Sequence, residues 1–214
     1  MEYVPPINNN VSNYISTIMA GNHSRRETYM PITYLPKDIN LQENAISDLQ
    51  TLYDYGKDYG GANFFILLLG ELIGNIYEHS EFSNASMMAQ IYKRKSLVEI
   101  TILDDGISIP GCFEKYGIAI PSDYDAILSA INGKISTKTK DEPRGFGLRS
   151  SVRSCMGGTD AQLLLVSRNG ALYKNIYTEI VYNIEGANRL IGTLISIRTP
   201  YPVPQVNIYD YIDG

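Results

Sequence analysis

The apolar residues of this chain repeat with two different periods, and each period predicts a different secondary structure. The apolar run Phe64–Leu69 continues into a helical pattern, which predicts a helix over Asn63–Ser80. Glu71 and Asn75 lie four residues apart in that helix, so their side chains share one face. A carboxylate above a carboxamide indicates either a polar site or the solvated side of an amphipathic helix, and this stretch alone does not separate the two.

Runs of β-branched, aromatic and alternating apolar residues predict strands. The segment Tyr29–Leu35 contains a proline and is followed by another, which favours an edge strand. Further strands are predicted at Ala85–Tyr92, Leu97–Leu103, Ala161–Val166, Leu172–Tyr182 and Ile191–Arg198. The basic turn Lys93–Ser96 would make a hairpin of the first two of these, and Arg168–Gly170 supplies a later turn.

Three more helices are predicted, at residues 38–55, at Ser122–Ile131, and from Gly145 to about Met156, where Gly157 and Gly158 would stop the last one. Helices that precede and interrupt mostly consecutive strands predict an α/β fold. The expected architecture is a two-layer sandwich, with a mixed, mostly antiparallel sheet covered on one face by helices.

The chain is expected to form one main domain. Residues 1–28 are polar and proline-bearing and predict an N-terminal arm, with a short helix around Val11–Met19. Residues 29–200 would form the domain, and residues 201–214 an irregular tail.

Composition narrows the class of protein. A net charge of -5 and a pI near 5.1 argue against a nucleic-acid partner bound through bulk electrostatics, although a local basic pocket for a small polyanion stays compatible. Two cysteines are too few for a disulfide framework, and the N-terminus lacks the layout of a signal peptide. The longest apolar run is too short to cross a bilayer. We therefore expect a cytoplasmic protein without a membrane partner.

Three short motifs together carry the chemistry that a magnesium-bound nucleoside triphosphate requires. The segment Gly145-Phe146-Gly147-Leu148 opens a helix, where glycines and backbone N–H groups can approach phosphate oxygens. The Asn75 side-chain oxygen could bind Mg2+, which prefers oxygen ligands, and Glu71 could accept a proton from water. Asp104 could accept the exocyclic amine of adenine, and Gly106 would leave room for the base.

The order of these motifs resembles the GHKL ATPase superfamily, which includes gyrase, MutL, heat-shock chaperones and the ATP-binding domains of histidine kinases. The resemblance covers roughly Leu41–Thr199 and comprises Glu71-x-x-x-Asn75, Asp104-x-Gly106, Gly145-x-Gly147-Leu148 and Gly192-Thr193. It implies an α/β sandwich that holds ATP between the helices and a mobile lid, with residues 111–144 as the lid.

The resemblance implies a role for each matching residue. Glu71 matches the catalytic glutamate, Asn75 the magnesium ligand and Asp104 the adenine-binding aspartate. Gly106 begins the adenine motif, Gly145 and Gly147 match the phosphate-binding glycines, and Thr193 matches the threonine that supports adenine. Ser108 replaces the second glycine of the usual Asp-x-Gly-x-Gly pattern, and nucleotide binding should tolerate it if its backbone φ stays negative.

Several side chains have two interpretations. The cations Lys134, Lys138, Lys140 and Arg144 could meet the γ-phosphate or form a solvated loop. His79, one turn beyond Asn75, fits packing better than a site, and Asp105 fits a surface carboxylate.

Three functions from different classes follow from these motifs. The first, which we favour, is a Mg-ATP-binding ATPase that acts as a nucleotide-dependent conformational switch. The second is a protein serine kinase similar to anti-sigma factors, which also carry Glu-x-x-x-Asn-x-x-x-His. The third is an ATP sensor or scaffold without turnover. The sequence leaves open a homodimer or another protein partner.

Overall fold

A seven-stranded sheet organises the part of the chain that the computed structural model describes, namely residues 29–37, 62–133, 147–204, 206–207 and 210–211. Its strands are β1 (Tyr29–Tyr34), β2 (Ala85–Tyr92), β3 (Leu97–Asp104), β4 (Gln162–Ser167), β5 (Gly170–Lys174), β6 (Glu179–Asn183) and β7 (Thr193–Pro200). They are ordered β1-β2-β3-β7-β4-β5-β6, and every neighbouring pair is antiparallel. The predicted sheet is therefore correct except that it is antiparallel throughout these strands, not mixed.

Helices pack on one face of this sheet, as the sequence predicted. They are α1 (Ala62–Asn75), α2 (Ser108–Lys115), α3 (Asp123–Ile131) and α4 (Gly147–Thr159). In β2 and β3 every second residue is buried, which places one side of the sheet in the core and leaves the other side more exposed. Since strands and helices bury their apolar faces against each other, the described residues form the expected two-layer α/β sandwich.

Helix α1 contributes an apolar stripe to this core. Leu68, Leu69, Leu72 and Ile73 are each at most 3% exposed, at the spacing of one helical face. The chain continues from α1 into a π-helical turn, Ile76–Ser80, so the predicted helix is confirmed with a wider last turn. None of the described helices has both the length and the apolar character needed to cross a membrane.

One predicted strand needed correction in the second half of the sheet. The single strand predicted at Leu172–Tyr182 is wrong, because the chain turns between Lys174 and Glu179 to form β5 and β6. The Asn175 side chain makes this turn, since its Oδ1 accepts the N–H groups of Tyr177 and Thr178 at 2.8 Å each.

Helix α4 does not stop at Gly157 and Gly158, as predicted, but continues to Thr159. The two glycines instead let the C-terminal tail pack against the helix. A Cβ on Gly157 would lie 2.8 Å from the Tyr211 ring, and one on Gly158 would lie 2.6 Å from Val206. The described residues of the tail, 201–204, 206–207 and 210–211, form no strand or α-helix, and Val203 belongs to the core.

The predicted lid, residues 111–144, also needs a narrower definition. Its first part forms most of α2 and all of α3, and Phe113, Ala126, Ile127 and Ile131 are buried. Segments with buried apolar side chains are part of the core, so they cannot serve as a loosely held cover. The rest of the proposed lid from residue 134, the arm at 1–28 and the helix predicted at 38–55 lie outside the described residues.

Candidate functional site

Asp104 is the acidic end of an otherwise apolar strand face. The buried positions of β3 are Val98, Ile100, Ile102 and Asp104, so the alternation carries the aspartate onto the core side. Asp104 as a whole is only 4% exposed. Burial raises the pKa of Asp104 from 3.8 to about 6, and the charge of Asp105 adds to that increase.

Two backbone N–H groups partly offset the burial of this carboxylate. The Gly106 N–H donates to Asp104 Oδ1 at 2.8 Å, and hydrogen bonding from Thr193 also acts to lower the pKa. Because Asp104 still titrates near pH 6, it is mostly ionised at pH 7. It then acts as a hydrogen-bond acceptor at the edge of the core.

Gly106 is required by a close approach of two backbone segments. A Cβ at this position would overlap the Ser80 carbonyl oxygen and lie 2.7 Å from its carbonyl carbon. The next residue, Ile107, donates its N–H to the same Ser80 oxygen at 2.7 Å. The loop after β3 is therefore held against the π-helical turn Ile76–Ser80. That turn directly follows α1, the helix that carries Glu71 and Asn75.

Asp105 has a structural role that the sequence analysis missed when it assigned this residue to the surface. Its Oδ1 accepts the N–H groups of Ser83 and Asn84 at 2.7 Å each, and its Oδ2 accepts the Asn84 side chain at 2.8 Å. Burial acts to raise the pKa of Asp105, but these hydrogen bonds dominate and lower it. Asp105 thus holds the segment between α1 and β2 beside the loop.

Ser108 does not meet the condition set for it. Its φ is +72°, in the left-handed region that glycine prefers, whereas the expected tolerance of nucleotide binding to this serine depends on a negative φ. Its buried hydroxyl accepts the Gly111 N–H at 3.3 Å, one turn into α2. The serine therefore takes up the conformation of the glycine it replaces, and a local hydrogen bond offsets part of the strain.

Thr193 lies beside Asp104, as the motif order implied. The two residues are direct neighbours in the β3–β7 ladder, and Thr193 is 9% exposed. Gly192 precedes it with a φ of +87°, and a Cβ there would overlap the Asp104 backbone carbonyl. Glycine at 192 is thus what allows Thr193 to approach the aspartate so closely.

Ser167 is a further member of this cluster that the sequence analysis did not identify. Its Oγ lies 2.9 Å from Thr193 Oγ1 and accepts the Ile109 N–H at 2.9 Å. It is fully buried at the end of β4, opposite Thr193 in the ladder. The one signal available was a polar residue that closes the apolar run of β4.

Glu71 contacts the glycine motif directly. The Gly147 N–H donates to Glu71 Oε2 at 2.7 Å, although the two residues are 76 positions apart. Gly147 is the first residue of α4 and has a φ of +69°. The carboxylate therefore caps the positive end of the α4 dipole, the kind of position where an anion is stabilised.

Asn75 ends α1 one turn beyond Glu71. Its Nδ2 is buried and has no hydrogen-bond partner among the described residues. Since buried polar groups are nearly always hydrogen-bonded, this carboxamide has bonding capacity that a ligand could use. His79 lies further along, in the π-helical turn, with its Nε2 3.5 Å from the Glu78 carboxylate.

The structure places the predicted site residues that it describes in two groups, with Asn75 in neither. Glu71 meets Gly147, while Asp104, Gly106, Ser108 and Thr193 form one cluster that Ser80 links to the end of α1. Leu148 packs against the core. Gly145, Phe146 and the four cations of the proposed lid lie outside the described residues.

The arrangement offers separate acceptors and donors for different parts of a ligand. No group of three or more His, Cys, Asp or Glu side chains among the described residues could hold a metal ion. Two cavities among the described residues, one beside α2 and one between α1 and α4, are not lined by Glu71, Asn75 or Asp104. In this conformation the Glu71 carboxylate occupies the first amide of α4.

No model of a known protein family matches this chain, and a search of curated proteins finds no significant match.

Proposed function

We propose that this protein binds Mg-ATP between α1, the loop after β3 and the start of α4, and hydrolyses it as a nucleotide-dependent switch. The observation that carries the proposal is the hydrogen bond between Glu71 and Gly147 at 2.7 Å. It joins a candidate general base to a helix N-terminus suited to phosphate, two features that lie far apart in the sequence.

Asp104 supports recognition of an adenine base. Its carboxylate is buried yet largely ionised at pH 7, because its pKa is about 6. An ionised carboxylate accepts but does not donate, so it suits the exocyclic amine of adenine and disfavours a carbonyl at the same place. Thr193 and Ser167 provide hydroxyls beside it that could complete the hydrogen bonding of the base.

Asn75 fits the role of the magnesium ligand. Mg2+ is commonly held by one or two protein oxygens together with phosphates and water, so a single carboxamide oxygen is enough for this mode of binding. The Asn75 oxygen would bind the metal, and its Nδ2, which has no partner among the described residues, would donate a hydrogen bond to a phosphate oxygen. The bound ion would neutralise charge on the phosphate oxygens.

Glu71 would have two successive roles. A phosphate oxygen and a carboxylate are both acceptors, so they compete for the same Gly147 N–H. Displaced from that amide, Glu71 can accept a proton from a water molecule. The water oxygen bonds to the γ-phosphorus while the bond to the β–γ bridging oxygen breaks, releasing ADP and phosphate.

Binding and hydrolysis are tested separately. Mg-ATP should raise the melting temperature of the wild type, and Asp104→Asn should abolish that shift, because a carboxamide presents a different donor and acceptor pattern. An unchanged shift in Asp104→Asn would overturn the adenine assignment. Asp105→Asn is the matched control, since it makes the same change at the neighbouring position, where the side chain faces the Asn84 segment.

Phosphate release tests the general base. Glu71→Gln keeps an acceptor for the Gly147 N–H but removes the base, so turnover should fall by about 100-fold or more. Glu78→Gln, an exposed glutamate further along the same segment, is the control and should leave turnover unchanged.

A second function is favoured by one observation. Glu71 already has a structural task, because it caps α4. If the glutamate only caps, ATP would displace it and release α4 without chemistry, and the protein would be a nucleotide sensor. Equal background phosphate release by wild type and Glu71→Gln, together with a normal Mg-ATP thermal shift, would select this function.

A further inference from the structure

A cavity of about 430 Å3 lies at the end of the sheet where β3 and β4 finish and β7 begins. Helix α2 forms one wall and residues 189–192 form another. Its volume falls within the range of roughly 300–1,000 Å3 that is typical of small-molecule sites. Asp104 and Thr193 do not line it, but Gly106, Ser108 and Gly192 do, so the cavity adjoins the proposed nucleotide site.

The charged lining of this cavity is unbalanced. Arg168 donates two hydrogen bonds to the Glu114 carboxylate, at 2.6 and 2.7 Å, and Lys115 pairs with Glu81. Within each of these two pairs the opposite charges cancel. Arg189, in contrast, has no hydrogen bond or ion pair among the described residues. Three cations and two carboxylates therefore leave one excess positive charge, located on Arg189.

Arg189 lies close enough to the paired groups to share their site. The pKa of Glu114 is lowered mainly by its hydrogen bond from Arg168, and the charge of Arg189 contributes as well. The two cationic segments are also joined through the backbone, because the Leu190 N–H donates to the Arg168 carbonyl at 3.2 Å. Arg189 therefore presents, beside the cavity, a planar donor fork that makes no hydrogen bond among the described residues.

An apolar wall faces these charges. Ile107, Leu190 and Ile191 line the cavity, and Ile191 is 73% exposed. Gly111 makes room for the charged side, because a Cβ there would lie 2.7 Å from Nη2 of Arg168. The cavity thus combines one available cation with an apolar surface that is otherwise left in water.

We propose that this cavity binds a small organic anion that carries one acidic group on an apolar body. The acidic group, a carboxylate or a phosphate ester, would accept two parallel hydrogen bonds from Arg189. The apolar body would cover Ile107 and Ile191. The proposal does not rest on the nucleotide function, since the ligand would contact Arg189, Ile107 and Ile191 and neither Glu71 nor Asp104, although the cavity shares Gly106, Ser108 and Gly192 with the proposed nucleotide site.

The test uses four probes that share one ring and differ in their polar group: benzoate, phenyl phosphate, benzamide and benzylamine. Each is titrated into the uniformly 15N-labelled full chain at low salt. Benzoate or phenyl phosphate should shift the amides of Ile107, Gly111 and Gly192 saturably. Benzamide and benzylamine should bind at least about tenfold more weakly, because a charge-assisted hydrogen bond to Arg189 is lost.

Variants then test the residue. Arg189→Gln should weaken the binding of the acidic probes about tenfold, and this exposed side chain has no described partner whose loss would affect folding. Arg94→Gln is the control, since it removes the same charge from an exposed turn at the other end of β3. Equal binding of benzamide and benzoate, equal weakening by both variants, or no saturable shift at these amides would each overturn the proposal.

Discussion

The buried carboxyl of Asp104 should make the stability of this protein depend on pH in an unusual direction. Its pKa rises on folding from 3.8 to about 6, mainly because of burial. The folded state therefore holds the proton more tightly than the unfolded state, so the contribution is fully present below about pH 4 and is lost as pH rises through 6. Roughly two pKa units correspond to about 3 kcal/mol.

Asp104→Asn isolates this contribution. The carboxamide stays neutral at every pH, and its oxygen can still accept the Gly106 N–H. The free energy of unfolding of the variant minus that of the wild type should therefore increase by about 3 kcal/mol between pH 3.5 and pH 7. Urea unfolding followed by circular dichroism measures this difference. The method does not depend on tryptophan fluorescence, and the chain has no tryptophan.

The comparison also removes the opposing contribution of Asp105. The pKa of Asp105 is lowered on folding, so its contribution is present above its unfolded pKa and is lost as pH falls. That contribution is common to both proteins and largely cancels in the difference. A difference that stays flat from pH 3.5 to 7, or that decreases with pH, would refute the assignment of a raised pKa to Asp104.

The remaining predictions concern the backbone and the cap of α4, and urea unfolding at pH 7 measures each of them. Gly106→Ala should destabilise the protein by about 3 kcal/mol, because the added Cβ would overlap the Ser80 carbonyl. Gly74→Ala is the control: no described atom lies within 4 Å of its Cβ, so it should be neutral or stabilising by up to about 1 kcal/mol. Equal effects of these two substitutions would contradict the close approach. Ser108→Gly should change stability by less than about 1 kcal/mol, because relief of the positive φ offsets the lost hydroxyl and the added entropy of the unfolded chain. Ser108→Ala keeps the backbone strain and should lose about 1 kcal/mol. An alanine variant as stable as the glycine variant would refute this reasoning. Glu71→Ala should cost about 1 kcal/mol and Glu71→Gln less, because only glutamine can still accept the first amide of α4; equal losses would argue against the cap.

Much of the fold was predictable from local patterns. The alternation in β2 and β3, the basic turn between them and the amphipathic helix α1 all appear where the periodicity placed them. The serine before α3 also caps it, since Ser122 Oγ accepts the Asp125 N–H at 3.1 Å. These elements were predictable because burial of one face and satisfaction of the first helical amides depend on neighbouring residues.

The errors have a common physical origin. The β5–β6 turn was missed because an apolar run concealed the Asn175 side chain that makes the turn, and α4 runs through two glycines because the distant tail packs against them. Ser108 adopts a positive φ, which serine usually avoids. Local preference was overridden in each case by contacts or by side-chain hydrogen bonds that the pattern does not weigh.

The sequence by itself determined the residue types of the candidate site and their order along the chain. Only the tertiary structure decided that Glu71 meets Gly147, that Ser167 supports Thr193, and that the loop after β3 is fastened to the end of α1 through Ser80. The reason is that periodicity acts over a few residues, whereas these contacts join segments 26 to 76 positions apart. Such contacts depend on how the layers pack, and on glycines at 106 and 192 that let backbones approach.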